Sequence, residues 1–106
     1  MTTQVHKINS YIDSSKLPGM IDCAMSIIHL NDGHRFIVLA NHEKVMQAVY
    51  KRCSKRSAII CHNAADLGLA KLLTYDSING FKIIITTTAL YYKYDWSPCS
   101  HILIVL

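Results

Sequence analysis

Short apolar runs alternate along this chain with longer segments of mixed character. The runs lie at residues 35–40, 57–61, 82–86 and 102–106, and they are rich in isoleucine, valine and leucine. Runs of this length and composition, bounded by polar residues, are typical of strands that are buried on both faces. The pattern therefore predicts four strands.

Helical periodicity fills most of the sequence between these runs. Apolar residues recur every three or four positions from about 18–31, in the segment after Asn41, and around 67–73. Asn41 is expected to cap the start of the second of these helices, and Asn63 or Asp66 the start of the third. The sequence therefore predicts three main helices, each placed between two strands or before the first.

The order of elements predicts the fold class. A short helix or turn is also expected near residues 89–93. Strands that alternate with helices imply right-handed crossovers and a parallel sheet that is covered on both faces. The predicted fold is α/β, a three-layer α/β/α arrangement around a small, about four-stranded parallel sheet. We expect a flexible N-terminal arm over residues 1–16 and a single domain over residues 17–106.

Composition narrows the class of protein. Hydrophobic residues make up 51% of the 106 residues and charged residues 17%, which is too apolar for a disordered chain. No apolar run approaches the ~18 residues that a membrane span needs, and the start of the chain lacks the apolar segment of a signal peptide. We expect an intracellular protein, cytoplasmic or nuclear, that has no membrane contact.

The cysteines indicate a reducing compartment. Cys23, Cys53, Cys61 and Cys99 are widely spaced and form no CxxC pair, so they are typical of reduced, mostly buried thiols. Cys61 and His62 are a poor pair for nucleophilic catalysis, because adjacent residues on a strand point to opposite faces. We therefore expect no metal site, no cofactor and no catalytic residue.

The formal net charge of +4 is compatible with contacts to phosphate. Much of the positive charge falls on the second predicted helix and the loop that leaves it. This cluster is either a solvated helix face or an electrostatic surface for nucleic acid or an acidic partner. Its members are Lys44, Lys51, Arg52, Lys55 and Arg56.

Polar side chains follow each of the first three predicted strands. If the strands are parallel, these residues lie along one edge of the sheet, where ligands bind in open α/β folds. Short hydrogen-bonding side chains suit contacts to phosphate and sugar, and the same residue types also serve as plain helix caps. The residues are Asn41 and His42, then His62 and Asn63, then Thr86, Thr87 and Thr88.

Four segments carry a resemblance to a known family: RFIVLANHEKVMQAVYKRC, SAIICHN, FKIIITTTALYYKYDW and SHILIVL. They resemble the second RecA-like domain of superfamily 2 helicases and Snf2-type translocases. The segment before them, SSKLPGMIDCAMSIIHLNDGHRF, looks like the helix that precedes the first strand of that domain, so the resemblance covers about residues 15–106. The hinge after the third strand of that domain carries two threonines, a glycine and an aspartate. Thr86 and Thr87 match the threonines and Asp95 the aspartate, whereas Lys93 stands at the glycine position.

The resemblance implies roles for individual residues. The threonines would contact the backbone of a nucleic acid, and the polar residues after the first two strands would approach it. With Lys44 beside the same edge, the predicted nucleic-acid-binding residues are Asn41, His42, Lys44, His62, Thr86 and Thr87. The residues expected near a domain interface are Lys93 and Asp95.

The machinery for phosphoryl transfer is missing from this chain. It has no GxxxxGK[ST] phosphate loop and no acidic pair for magnesium, and it ends before the arginine-finger segment of the family. The resemblance therefore implies a truncated and diverged half that is not an enzyme on its own. Such a half would be a remnant with a new role or one polypeptide of a split ATPase.

Three functions remain open from the sequence. The leading hypothesis is a non-catalytic module that binds DNA, RNA or a protein of nucleic-acid metabolism, such as a helicase-like, replication or transcription protein. The alternative is a protein-interaction or regulatory module: if the last strand, 102–106, lies at the sheet edge, it would invite homodimerisation or docking on a larger partner. A nucleotide-binding domain of flavodoxin-like layout ranks last, because no glycine-rich loop is present.

Overall fold

Strands and helices alternate along the chain. A computed structural model describes residues 4–8, 16–53, 57–75, 82–96 and 99–106. In chain order, the elements are β1 (Gln4–Lys7), α1 (Leu17–Leu30), β2 (Phe36–Leu39), α2 (Glu43–Arg52), β3 (Ala58–Ile60), α3 (Ala64–Tyr75), β4 (Ile83–Thr86), α4 (Thr88–Tyr91) and β5 (Ile102–Val105).

The strands form one sheet of five parallel strands in the order β1-β5-β2-β4-β3. Helices α1 and α2 cover one face and α3 and α4 the other, so the three-layer α/β fold predicted from the sequence is confirmed. The four strands read from the apolar runs are all present. The fifth, β1, was not expected.

β1 lies inside the segment that the sequence predicts to be a flexible arm, residues 1–16. Its residues Gln4–Lys7 pair in parallel with Ile102–Val105, so the prediction of a loose arm is wrong for this stretch. The strand carries one large apolar side chain, Val5, which is 52% exposed. Its sequence therefore lacks the run of apolar residues that indicates a buried strand. The stretch 9–15 lies outside the described residues.

Two apolar layers bury the two faces of the sheet. Alternate residues of a strand enter opposite layers: in β2, Phe36 and Val38 join the layer under α1 and α2, whereas Ile37 and Leu39 join the layer under α3 and α4. The helices contribute Met20, Ile21, Ala24, Val45, Met46 and Val49 to the first layer and Leu67, Ala70 and Tyr91 to the second.

β5 lies inside the sheet, between β1 and β2, and its backbone pairs on both sides. Homodimerisation through this strand was expected only if the strand lay at the sheet edge, and that condition is not met in the described sheet. In the described sheet, the outer positions belong to β1 and β3.

Other expectations are settled only in part. All four cysteines are free thiols, but Cys61 alone is fully buried and Cys23 is exposed, so "mostly buried" is wrong for this set. No helix in the described ranges has the length and apolar character needed to cross a bilayer. The loop that leaves the second predicted helix, with Lys55 and Arg56, lies outside the described residues.

Candidate functional site

The sheet has a topological switch point between its neighbouring strands β2 and β4. The chain leaves β2 for α2 on one face of the sheet, whereas it leaves β4 for α4 on the opposite face. Two connections that diverge in this way leave a crevice at the carboxyl ends of the strands, where open α/β sheets bind ligands. The polar residues predicted from the sequence follow β2, β3 and β4 and so lie around this crevice.

Asn41 spans the switch point. Its side-chain oxygen accepts a hydrogen bond from the Thr88 backbone N–H at 3.1 Å, and its amide nitrogen donates to Thr88 Oγ1 at 3.2 Å. The expectation that Asn41 caps α2 is wrong: the residue at that N-cap is His42, whose side chain makes no capping bond. Asn41 instead caps α4, on the other side of the switch point.

Glu43 joins the ends of β2 and β3. One carboxylate oxygen lies 2.8 Å from His62 Nε2, and the other accepts a hydrogen bond from Gln47 Nε2 at 2.8 Å. These bonds, first that from Gln47 and then that from His62, lower the pKa of Glu43 below its ordinary value. The sequence reasoning missed Glu43, although its position among Asn41, His42 and Lys44 was the available signal.

The threonines at the end of β4 and just after it have structural roles. Thr86 is fully buried, and its hydroxyl donates to the Cys61 carbonyl at 3.2 Å. A buried hydroxyl with a partner does not reach a ligand, so Thr86 drops out of the predicted nucleic-acid-binding set. Thr87 is the N-cap of α4, where its hydroxyl accepts from the Leu90 N–H. Thr87 therefore has the helix-capping role that the sequence left open as the alternative to a contact with phosphate or sugar, and Thr86 has a role in packing.

Several predicted side chains remain on the surface of the crevice. His42, Lys44, His62 and Asn63 are all exposed. Asn63 also caps α3, because its side-chain oxygen accepts from the Asp66 N–H at 2.8 Å, as one of the two sequence alternatives predicts. Since Glu43 and Asn41 bond across strand ends, the residues after β2, β3 and β4 form one continuous surface, which we call the carboxyl edge.

The carboxyl edge holds no activated thiol. Burial raises the pKa of Cys61 to about 12, so the thiol stays protonated near neutral pH and is a weak nucleophile beside His62. Among the described residues, no group of three or more histidine, cysteine, aspartate or glutamate side chains is placed to hold a metal ion. The chemistry that the edge offers is hydrogen bonding and charge.

Lys93 and Asp95 follow α4, and both are exposed. Their segment is attached to α3, because Lys71 Nζ donates to the Asp95 carbonyl at 2.8 Å and the Tyr94 hydroxyl donates to the Ala64 carbonyl at 2.6 Å. They therefore lie on the α3 face of the sheet. Their role at a domain interface stays a prediction.

The described members of the basic cluster, Lys44, Lys51 and Arg52, do not form one track along the carboxyl edge. Lys44 and Arg52 lie near opposite ends of α2, about 12 Å apart along the helix axis. Arg52 pairs with Asp22 at 2.7 Å, beside a groove of about 590 Å³ that Ile28 and Leu30 of α1 also line. Because α1 leads into β2 and α2 into β3, this groove is at the amino ends of the strands.

A buried histidine also lies at the amino ends of the strands, just before β5. His101 Nδ1 is 3.1 Å from the Cys99 carbonyl, which only accepts, so Nδ1 carries the proton and Nε2 accepts from the Tyr91 hydroxyl at 2.8 Å. The rings of Tyr91 and Trp96 stack beside it with centroids 5.4 Å apart. Burial, partly offset by the bond to Cys99, lowers the pKa of His101.

Comparison with known proteins gives no match for this chain among family models, curated proteins or solved structures. The resemblance to a helicase half-domain therefore rests on the quoted sequence segments alone.

Proposed function

We propose that this chain is a non-catalytic module that binds single-stranded nucleic acid through its sugar–phosphate backbone at the carboxyl edge. The observation that carries the proposal is the bonding of Glu43 to His62 and of Asn41 to Thr88, which joins three strand ends into one surface at the switch point. Ligand sites of open α/β sheets occur at such positions.

The exposed side chains of the edge suit a single strand. Lys44 supplies a permanent positive charge, and His42 and His62 supply ring nitrogens and flat faces. Proteins that bind single strands combine backbone contacts with bases stacked on aromatic or histidine rings. In the proposed mode, Lys44 contacts a phosphate oxygen, and His42 offers a face to a base.

The charge of the edge predicts modest affinity. Lys44 is accompanied by the carboxylates of Glu43 and Asp66, so the site neutralises few phosphates. The logarithm of the affinity falls linearly with the logarithm of the salt concentration. For a single strand, each phosphate contact makes this slope steeper by about 0.7. We therefore expect binding that is measurable at low salt and has a shallow salt dependence.

The resemblance to a helicase half supports the same ligand class. Its predicted contacts at the ends of the first two strands, Asn41, His42 and His62, fall on the carboxyl edge, whereas its threonine contact at Thr86 does not. The proposal is of binding alone, since Cys61 is buried with a raised pKa and offers no nucleophile.

Fluorescence anisotropy with a labelled single-stranded oligonucleotide at low salt tests the proposal. Lys44→Ala should weaken binding and reduce the salt slope by about 0.7. Lys51→Ala is the matched control, because it removes the same charge from an exposed position near the far end of α2. The absence of binding to the unaltered protein, or an equal loss in both variants, would refute the proposed site.

A further inference from the structure

Glu43 presents a carboxylate that is already held in place. Gln47 and His62 each donate to a different oxygen, at 2.8 Å, and the side chain is still 56% exposed. A carboxylate has about four lone-pair sites, so both oxygens can accept further hydrogen bonds. The carboxyl edge therefore contains an acceptor whose orientation is fixed before any ligand arrives.

The charge of this acceptor limits what can lie against it. A phosphate would be repelled, so on this part of the surface a nucleic acid must present a neutral hydrogen-bond donor. The 2′-hydroxyl of ribose is such a donor, it recurs at every nucleotide whatever the base, and DNA lacks it. In DNA the same position is a C–H group, which would desolvate the carboxylate without giving it a partner.

We propose that the carboxyl edge takes RNA in preference to DNA, with the Glu43 carboxylate accepting a hydrogen bond from a ribose 2′-hydroxyl. This inference rests on the proposed nucleic-acid binding and adds the sugar that the site selects. The backbone then lies with a phosphate toward Lys44 and a ribose toward Glu43, its neighbour at the start of α2. His62 and Gln47 act as positioning residues, because they hold the carboxylate.

Exocyclic amino groups of bases also donate to carboxylates, so the sugar must be varied while the base stays constant. The probes are short oligouridylates with ribose, with 2′-deoxyribose and with 2′-O-methylribose. The 2′-O-methyl probe removes the donor hydrogen and retains the 2′-oxygen. It therefore separates hydrogen bonding to Glu43 from an effect of sugar shape.

Anisotropy titrations at low salt should show that the unaltered protein binds the ribose probe about ten-fold more tightly than the other two, as expected for one hydrogen bond to a charged acceptor. Glu43→Ala should bring all three affinities together, and Glu43→Gln, which keeps an acceptor without the charge, should retain part of the preference. Asp32→Ala is the control: it removes an exposed carboxylate from the loop before β2 and should leave the ratio unchanged.

The outcomes separate this inference from the function on which it rests. Equal binding of all three probes by the unaltered protein, or a ribose preference that survives in Glu43→Ala, overturns the role of Glu43 and leaves nucleic-acid binding standing. No binding of any probe at low salt overturns both.

Discussion

The Asn41 side chain engages Thr88 through both of its polar atoms, accepting from the backbone N–H and donating to the hydroxyl. The two residues follow adjacent strands whose onward connections run to opposite faces of the sheet. Their bond therefore ties together the two sides of the crevice at the switch point.

Replacing Asn41 tests how much this tie stabilises the fold. Asn41→Ala should lower the free energy of unfolding by about 1–2 kcal/mol, because the Thr88 N–H loses its acceptor. Asn41→Asp should cost less, since a carboxylate still accepts from the same N–H and from the hydroxyl. Urea denaturation measures both. Equal losses in the two variants would mean that the contact to the N–H is not the stabilising one.

Thr86 should matter for stability and not for binding. Thr86→Val keeps the shape of the side chain but removes the donor to the buried Cys61 carbonyl, which should cost about 1–3 kcal/mol. The affinity of the folded variant for an oligonucleotide should not change, because the side chain is fully buried. Urea denaturation and anisotropy on the same sample check the two statements. A folded Thr86→Val protein that binds more weakly would return Thr86 to the binding set.

His101 should make the protein sensitive to acid. Because burial lowers its pKa in the folded state, the unfolded chain takes up the proton first as the pH falls. Above the ordinary histidine pKa of 6.5, the neutral His101 makes its full contribution to the stability of the folded protein. That contribution is lost progressively as the pH falls from 6.5 toward the lower pKa of the folded state. The free energy of unfolding should drop by at most about 1.4 kcal/mol per pH unit in that window.

A variant isolates this contribution from those of the other histidines. His101→Gln keeps an acceptor for the Tyr91 hydroxyl and removes the titration, so its unfolding free energy should depend less steeply on pH below 6.5. Parallel pH profiles for the two proteins would show that His101 is not the group responsible.

The cysteines should react in an order set by their burial. In the native protein at neutral pH, a maleimide should modify the exposed Cys23 rapidly and Cys61 only after unfolding, since burial raises the pKa of Cys61 to about 12. Mass spectrometry of digested samples taken over time measures the order. Modification of Cys61 as fast as Cys23 in folded protein would contradict the buried position of this residue.

The central strands of the sheet could be predicted from the sequence, because a strand that is buried on both faces consists of consecutive apolar residues. The middle strands of a parallel sheet are covered on both faces, so β2, β4 and β5 appear as unbroken apolar runs. β1 pairs with β5 at the far end of the chain and exposes Val5, so neither its composition nor its neighbours in sequence indicate a strand.

The candidate site was predictable in position and not in detail. Parallel strands bring their carboxyl ends to one edge, so Asn41, His62 and Thr87 were placed on the right side of the sheet. The hydrogen-bond partners of these side chains are residues that lie far away in the sequence. The sequence could not show that Asn41 caps α4 rather than α2, or that Glu43 reaches His62.

The pairing of β1 with β5 sets an order on how the molecule assembles. During synthesis β1 leaves the ribosome well before β5, yet its described ladder forms only with β5, almost a hundred residues later in the sequence. Joining them closes a very long loop, and such contacts form late in folding because their entropic cost precedes their gain. We therefore expect β1 to join the sheet only after β5 is available, so that a nascent chain cannot complete the described sheet until β5 has been made.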